Sequence, residues 1–378
     1  MTRRADRWRG RRLRIMQTLP LYHHAVRNPD AWHNVTAPGG YEWWYFDADD
    51  TENDRQLVAI LFDGFVFHPG YLRRYFQFDR RPTCVKPPLP REYVCAYCVV
   101  YHGGKIEHQF MTQYPAEQFE ARQETRHVQI GPNRFSAGDA REPLELFVSG
   151  TPWKLTGRGP QLQSQNSLMA SLTFQPRFNH APGEREFFSR QLAGAEHRWV
   201  IANPSCDVSG EITVSTAGAA DLRILFRGRG YHDHNFGTGP IGPGIGQWFW
   251  GRVLMEDRCA TFHFARPRDW KLEAEMHLIE VDSSGAHEID VEKCEIDWSR
   301  RTATWLKYPD RANFQGVLRL ENPRVIDSSP FYLRLIYDAT LRGATAKAFC
   351  EVAYPHRLRW PVLGRMIEMS IDKRAMKQ

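Results

Sequence analysis

Short runs of apolar or alternating residues, separated by Gly, Pro, Asn and Asp, recur along most of the chain. Runs of this length, rich in β-branched and aromatic residues and bounded by turn residues, are typical of β-strands. Helical periodicity is scarce, and the best helix candidate is PVLGRMIEMSIDKRAM near the C-terminus. The pattern therefore predicts an all-β protein of antiparallel barrels or sandwiches. The runs are YEWWYFDA (41–48), QLVAILFDGFVF (56–67), YVCAYCVVY (93–101), HRWVIA (197–202), QWFWGRVLM (247–255), CATFHFA, EMHLIEV, FYLRLIY and KAFCEVAY.

The length of the chain predicts two domains rather than one. At 378 residues the chain exceeds the size that one hydrophobic core usually supports. The strand-like run HRWVIA ends at Asn203-Pro204, and we place the boundary there. The prediction is a domain of residues 31–204, a domain of residues 205–378, and a basic, disordered N-terminal extension of residues 1–30.

The positive charge is concentrated in the first fourteen residues. MTRRADRWRGRRLR contains seven Arg and one Asp, which accounts for the net charge of +6 of the whole chain. The remainder is close to neutral, so a nucleic-acid-binding body is not expected. Three interpretations of the tail stay open: contact with anionic lipid or RNA, a disordered extension, or a true start at Met16.

Apolar segments and cysteines predict a cytoplasmic protein. No apolar stretch suited to a secretory signal follows the arginines, and no run approaches the ~18–20 apolar residues of a membrane span. The odd number of cysteines, seven, is typical of reduced thiols. Cys95 and Cys98 form a C-x-x-C motif inside a strand-like run, and we interpret them as core thiols.

Two segments carry the candidate chemistry, because residues two apart in a strand point to the same face. In GYHDHNFG, Tyr231, Asp233 and Asn235 share one face, while His232 and His234 share the other. This separation disfavours a metal site built from the whole segment, and we predict none, although a His-x-His pair with a third ligand from elsewhere stays open. A polar strand end with purely structural hydrogen bonds also stays open. In the functional reading, burial raises the pKa of Asp233 so that it can donate a proton.

Aromatic residues lie beside titratable ones in the remaining segments. His197 and Trp199 share a face in HRW, and Trp248 and Trp250 share a face in QWFWGR. YEWWYFDA is aromatic on both faces, which predicts that both are covered. Such rings either form plain core or line an apolar cavity in which their faces stabilise a cation. The sequence contains no nucleophile elbow and no dinucleotide or phosphate fingerprint, so cofactor-free acid–base or cation chemistry remains.

These segments resemble a known family. GGYEWWYFDA, WVIANPSCDVSGEI, GRGYHDHNFG, WFWGR and SPFYLR are similar to motifs of the carotenoid 1,2-hydratase (hydroxyneurosporene synthase) family, within a lipocalin-like superfamily that includes fungal Diels–Alderases. The similarity covers about residues 37–370. The chain departs from the family pattern in its Arg-rich N-terminus, in Phe236 where Trp is common, and in extra residues (STAGAAD) between the HRW and YHD segments.

The resemblance implies two lipocalin-like β domains and the addition of water to a terminal C=C bond of an acyclic carotenoid or related isoprenoid, without a cofactor. It maps the catalytic elements onto His197, Trp199, Tyr231 and Asp233. Asp233 would protonate C2, the aromatic rings would stabilise a cation at C1, and His197 would hold or deprotonate the water. The predicted substrate-binding residues are Glu42, Trp43, Trp44, Tyr45, Asn235, Trp248 and Trp250.

Two other functions stay open at this point. A lipocalin-like cyclase or isomerase would fold a polyene for ring closure, and a carrier would bind a hydrophobic molecule without changing it. All three functions predict a hydrophobic small-molecule partner, no nucleic acid, and peripheral contact with the inner face of a membrane from which such a ligand is collected.

Overall fold

The structure is a computed structural model, and it describes residues 24–25, 27–139, 142–178, 183–188, 195–241, 244–269, 271–291 and 293–377. β-strands dominate these ranges, which confirms the all-β prediction. Strands β1 to β13 are His24–Ala25, Tyr41–Asp50, Arg55–Asp63, Val94–His102, Lys105–Tyr114, Phe119–Ala121, Arg126–Ile130, Asn133–Ala137, Leu144–Gly150, Trp153–Thr156, Gly159–Leu162, Asn166–Pro176 and Gly183–Phe188. Strands β14 to β26 are His197–Thr216, Leu222–Gly237, Ile245–Leu254, Arg258–Pro267, Glu275–Asp282, Gly285–Ile289, Cys294–Asp297, Arg300–Arg301, Lys307–Tyr308, Arg311–Phe314, Leu318–Ser328, Tyr332–Leu341 and Ala344–Ala353.

The strands form two large antiparallel sheets. Among the described residues, the larger sheet has thirteen strands in the order β5-β4-β3-β2-β15-β14-β12-β9-β8-β7-β6, with β13 and β1 attached through β14. The smaller sheet has nine strands in the order β19-β18-β17-β16-β26-β25-β24-β23-β20. The sheets curve into a nearly closed barrel and a half-barrel, so the lipocalin-like architecture is confirmed. The pairs β10-β11 and β21-β22 form small separate ribbons.

Strand β14 runs through the predicted domain boundary. Asn203 and Pro204 lie inside it, and the residues that follow continue to pair with β12 and β15 of the same sheet. The pairing with β15 shifts register between Ile201 and Asn203 and again between Asn203 and Cys206. A bulge is where an internal strand tolerates proline, so the Asn-Pro signal coincides with a bulge here. The division of the chain at residues 204 and 205 stays a prediction.

Three apolar clusters form the described core. One lies among the strands of the larger sheet and contains Trp44 and Phe46, and a second lies among those of the smaller sheet. The third joins the two sheets and contains Trp43, Tyr45 and Trp250. All ten residues of β2 are buried, as its two aromatic faces predict, because β2 contributes one face to each of two clusters.

Two α-helices accompany the sheets in the described ranges: α1 is Pro69–Arg80 and α2 is Pro361–Ser370. Helix α2 confirms the helix predicted near the C-terminus. Helix α1 was not predicted; it begins where the His68 side chain accepts hydrogen bonds from the backbone N–H groups of Gly70 (3.0 Å) and Tyr71 (3.3 Å). A capping His before Pro is a weak sequence signal, because Ser, Thr, Asp and Asn are the usual capping residues.

The predicted N-terminal extension falls mostly outside the described residues, which include only 24–25 and 27–30 of it. The arginine cluster and Met16 are among those not described. Asp30 is buried, with its carboxylate 2.7 Å from Arg126 Nε and 2.7 Å from His232 Nε2. Cys95 and Cys98 are buried on opposite faces of β4, in agreement with the core-thiol interpretation. No helix in the described ranges is long and apolar enough to cross a membrane.

Candidate active site

Three neighbouring strands, β2, β15 and β14, bring the predicted catalytic residues together. Antiparallel register places Asp233 opposite Tyr45 on β2 and opposite Ile201 on β14, and places Asn235 opposite Trp43 and Trp199. Because cross-strand partners share a face, the alternating residues of β15 and β2 form one continuous surface. The two i, i+2 pairs of the sequence, in HRW and YHD, therefore meet in the fold.

The Asp233 carboxyl is the centre of this surface. The Trp199 indole N–H donates to its Oδ2 at 2.9 Å, and the Tyr231 hydroxyl donates to the same oxygen at 2.8 Å. The Asn235 side-chain amide donates to Oδ1 at 2.7 Å. A carboxyl oxygen accepts along two lone-pair directions, so Oδ2 is saturated while Oδ1 keeps one direction open. An acidic proton on this group is therefore carried by Oδ1.

Burial determines the proton affinity of Asp233. Its side chain is almost inaccessible, with 4% of the residue exposed. Desolvation raises the pKa of Asp233 to about 7, and the negative charge of Glu351 adds to this, while the hydrogen bonds from Trp199, Tyr231 and Asn235 oppose it. A carboxyl group with this pKa is partly protonated at neutral pH, which is the property that a general acid requires.

His197 lies next to this surface but behind the first layer of rings. Its Nδ1 forms a hydrogen bond of 2.7 Å with the Tyr41 hydroxyl, and its ring centroid lies 5.7 Å from that of Trp43. Gly237 permits the contact, because a Cβ at this position would lie 2.5 Å from the Tyr41 hydroxyl oxygen. Burial lowers the pKa of His197 to about 3. The ring is therefore neutral and is a weak base.

An aromatic cavity of about 300 Å³ opens between the two sheets, and Asp233 forms part of its wall. The larger sheet supplies Trp43, Tyr45 and Asn235, and the smaller sheet supplies Trp248 and Trp250. These five predicted substrate-binding residues therefore do line one cavity. Trp199, Tyr231 and His197 are not among the wall residues. Trp199 and Tyr231 contact Asp233 from behind.

Two predicted substrate-binding residues lie elsewhere. Trp44 and Glu42 occupy the opposite face of β2, where Trp44 packs in the core of the larger sheet. The Glu42 carboxylate contacts His234 Nε2 at 2.9 Å and His33 Nδ1 at 2.9 Å. Neither residue lines this cavity, because the strand period of two directs them away from Trp43 and Tyr45. Their assignment to substrate binding stays a prediction.

The histidines of GYHDHNFG also face away from the cavity, as the alternation predicts. His232 pairs with Asp30 and His234 with Glu42, so the two rings do not converge on one point. Ligand atoms of His33, Glu42 and His234 do lie within 4.8 Å of one another, and this set of described residues could hold a metal ion. It is separated from Asp233 by the thickness of the sheet. The chemistry of the cavity therefore rests on other groups.

Sequence reasoning missed the polar residues that the smaller sheet contributes to the cavity. Glu351 on β26, together with Tyr332 and Arg334 on β25, forms part of the wall. The motif SPFYLR contains two of them, although by itself it indicates only a family resemblance. No local pattern marks Glu351, because KAFCEVAY is an ordinary strand with one carboxylate.

The comparisons with known proteins agree with this geometry. The family model described as carotenoid hydratase CrtC matches residues 59–378. The chain belongs to the carotenoid hydratase CrtC family. This confirms the family predicted from the motifs, and it supports a hydratase-like enzyme.

Relatives within this family carry two different names. The hydroxyneurosporene dehydrogenase of Chlorobaculum tepidum is 29% identical over 316 residues, covering 80% of this chain and 78% of the relative. The acyclic carotenoid 1,2-hydratase of Rhodobacter capsulatus is 26% identical over 253 residues, covering 62% of this chain and 81% of the relative. The two names differ on the reaction.

Solved structures share the fold of this family member at low sequence identity. The AttH protein of Nitrosomonas europaea aligns with a TM-score of 0.55 at 14% identity, covering 88% of this chain and 98% of its own. Kievitone hydratase of Nectria haematococca aligns with a TM-score of 0.50 at 11% identity, covering 91% and 96%. At this level of identity the likeness concerns the fold alone.

Proposed function

We propose that this protein adds water to a terminal C=C bond of an acyclic carotenoid or related isoprenoid. The observation that carries the proposal is Asp233, a buried carboxyl group with a pKa of about 7 in the wall of an aromatic cavity, in a member of the carotenoid hydratase family. A buried acid in the wall of a largely aromatic cavity suits protonation of an alkene, which offers the protein no polar group to bind. The reaction needs a proton and a water molecule and no cofactor.

In the proposed mechanism, Asp233 transfers the proton on Oδ1 to C2 of the terminal double bond. A tertiary cation forms at C1, and the ring faces of Trp43, Tyr45 and Trp250 stabilise it. Water then adds at C1. Trp199 and Tyr231 stabilise the carboxylate that remains, because both donate hydrogen bonds to Oδ2. His197 holds the Tyr41 hydroxyl beside Trp43 and supports the wall.

The cavity size indicates how such a substrate binds. About 300 Å³ is at the lower end of the range of small-molecule sites. We propose that only the end of a long isoprenoid enters, while the rest of the chain remains outside the mouth. Incubating the protein with lycopene or neurosporene in detergent tests the function directly. Product that has gained the mass of one water molecule supports it, and unchanged substrate contradicts it.

The pH dependence of the reaction is expected to follow Asp233. Its raised pKa keeps it protonated below about pH 7, so kcat/KM falls as the pH rises above this value. Replacing Tyr231 by Phe removes a hydrogen-bond donor that stabilises the charged form of Asp233. We therefore expect the fall in kcat/KM to move to higher pH by about one unit. The measurement is a pH–rate profile of both proteins. If the fall in kcat/KM occurs at the same pH or at a lower pH in the variant, this role of Tyr231 is contradicted.

The mouth of the cavity has features of a membrane contact, and we propose that it faces an anionic lipid surface on the inner side of a membrane. Val362, Met366 and Met369 recur at i, i+4 and i+7 on α2, and 76% of Val362 is exposed. Leu155, 66% exposed, lies at the same cavity. Arg359 precedes the helix and Arg365 lies within it, while Lys373 and Arg374 after it pair with Glu368 and Asp372. Exposed apolar residues with arginines beside them are typical of interfacial binding.

Introducing charge on this helix is expected to weaken lipid binding. The variant Val362→Glu/Met369→Glu replaces apolar contact with negative charge, so binding to vesicles of mixed neutral and anionic lipid should fall by about tenfold or more. Cosedimentation with vesicles measures it. The control is Leu225→Glu on β15, which is 78% exposed and lies outside the cavity wall. Equal binding by the helix variant and the control variant contradicts the proposed surface.

A further inference from the structure

A second polar cluster lies in the wall of the same cavity, on the sheet that does not carry Asp233. Glu351 belongs to β26 of the smaller sheet, and 8% of it is exposed. The Arg334 Nε–H donates to Glu351 Oε1 at 3.0 Å, and the Tyr45 hydroxyl donates to the same oxygen at 3.2 Å. Glu351 is thus the carboxylate of an ion pair at the boundary between the two sheets.

Arg334 is held on several sides. Its Nη1 donates to the hydroxyl groups of Tyr101 at 2.7 Å and Tyr97 at 3.0 Å, and lies 3.8 Å from Asp327 Oδ2. The guanidinium also lies over the ring of Tyr332, 5.1 Å from its centroid. A guanidinium fixed in this way holds the Glu351 carboxylate in place. The SPFYLR motif, which ends at Arg334, therefore contributes to the cavity.

Hydration by the proposed mechanism requires a group that takes a proton from water as the C–O bond forms. His197 does not line the cavity, and its Nδ1 is engaged by Tyr41. Asp233 has just become a carboxylate, but it lies at the carbon that received the proton. A carboxylate that faces the cavity from the other sheet can hold water near the neighbouring carbon.

We propose that Glu351, paired with Arg334, holds the attacking water and accepts its proton. This inference rests on the proposed hydration function. As water oxygen bonds to the C1 cation, one O–H bond breaks and its proton passes to Glu351. The product is a neutral tertiary alcohol. Transfer of this proton through solvent to Asp233 restores both groups, so that alkene and water are consumed and the alcohol is formed without any other reactant.

The electrostatics of the two carboxyl groups are compatible with a divided acid and base role. Burial, together with the Glu351 charge, raises the pKa of Asp233, whereas Glu351 forms an ion pair with Arg334. Two carboxyl groups whose environments differ in this way suit one acid and one base. The sheets supply one group each, so the pair exists only because the cavity lies between them.

The test compares Glu351→Gln with Glu280→Gln. Glu280 is a buried carboxylate on β18 of the same sheet, paired with Arg342 and Arg258, and it is outside the cavity wall. We expect Glu351→Gln to lower kcat for lycopene hydration by about 10²- to 10³-fold with little change in KM. Glu280→Gln should retain the wild-type kcat. A kcat for Glu351→Gln within threefold of wild type overturns the inference.

Chemical rescue by a small carboxylate distinguishes a base from a structural residue at position 351. In Glu351→Ala, the removed side chain leaves room for a small carboxylate. Added formate should therefore raise the kcat of this variant at least tenfold. Formate should have no effect on Glu280→Ala. Absence of rescue in a folded Glu351→Ala protein overturns the base role. Failure of the proposed function looks different, because then the wild-type protein forms no alcohol at all.

If Glu351→Gln does not fold, Glu351→Asp keeps a carboxylate on a shorter side chain and should retain at least tenfold more of the kcat than Glu351→Ala. Equal kcat in these two variants overturns the inference. The charged and titratable groups that contribute to the environment of Glu351 are Arg334, Tyr45, Tyr332, Asp327, Asp47, Asp233 and Cys350.

Discussion

Replacing Asp233 by Asn is expected to abolish hydration and to leave ligand binding intact. The amide has the shape of the carboxyl group, so the cavity and its aromatic wall should remain, but it has no acidic proton to transfer. Loss of a general acid costs about 10²–10⁴ in rate, and protonation of an unactivated alkene depends on it strongly. We therefore expect kcat to fall by about 10³-fold or more. Alcohol formation measures the rate, and quenching of tryptophan fluorescence measures binding.

The matched control is Asp49→Asn. Asp49 is also buried, on β2, where it accepts a hydrogen bond from Gln56, and it lies outside the cavity wall. Its replacement should leave kcat close to that of the wild type. Full hydration activity in Asp233→Asn would refute the acid role.

The Asp233→Asn protein also separates the alternative functions. A cyclase whose cavity acts by shape would retain much of its activity without the acid. A carrier would bind and release the polyene unchanged in both proteins. Only the hydratase loses product while it keeps binding, so this variant discriminates among the three functions raised by the sequence.

Replacing Arg252 by Met is expected to destabilise the fold strongly. Arg252 on β16 of the smaller sheet donates from Nε to Asp47 on β2 of the larger sheet at 2.8 Å, and both side chains are buried. Methionine fills much of the volume but leaves Asp47 without its cationic partner. Breaking a buried pair in this way costs about 3–5 kcal/mol. Urea unfolding at pH 8 measures the loss in free energy of unfolding.

The loss in free energy of unfolding caused by Arg252→Met should increase with pH. Burial raises the pKa of Asp47 to about 6, although Arg252 opposes the shift. At pH 5, Asp47 is protonated in the folded state of both proteins, so the missing charge partner matters less. Above pH 6 the wild-type folded state ionises Asp47, whereas the variant must keep it neutral or bury a charge. The difference in stability should therefore grow from pH 5 to pH 8.

Two further proteins check the cause of this effect. Adding Asp47→Asn to Arg252→Met removes the buried charge and should recover most of the stability at pH 8. Arg300→Met breaks a surface pair with Asp310 and should change stability little. Equal losses at pH 5 and pH 8, with no recovery in the double variant, would contradict the charge argument.

Local sequence patterns predicted strands and their faces correctly where the period of two is long and regular. In β15, alternation separated Asp233 from His232 and His234, and the fold keeps them apart. The same period argued against grouping Trp44 and Glu42 with Trp43 and Tyr45, yet all four were assigned to the substrate. Both faces of β2 are aromatic, so composition could not show which face borders the cavity.

Other features depend on contacts between residues that are distant in sequence. Glu351 and Asp233 approach one cavity from different sheets, and no pattern within KAFCEVAY reveals this. His197 shares a strand face with Trp199, but the position of Tyr41 determines that its ring stays behind the wall. The start of α1 relies on a capping His68, which has no strong sequence signature.

The sequence by itself determined the all-β class, the orientation of alternating residues on each strand, the family, and Asp233 as the leading acid candidate. These properties follow from backbone geometry, which repeats every two residues, and from motifs of a few neighbours. The tertiary structure alone decided which face of β2 borders a cavity, how deeply His197 is buried, and which polar residues complete the wall. The cavity is a space between two sheets, and its shape and electrostatics arise only when strands far apart in the chain are packed together.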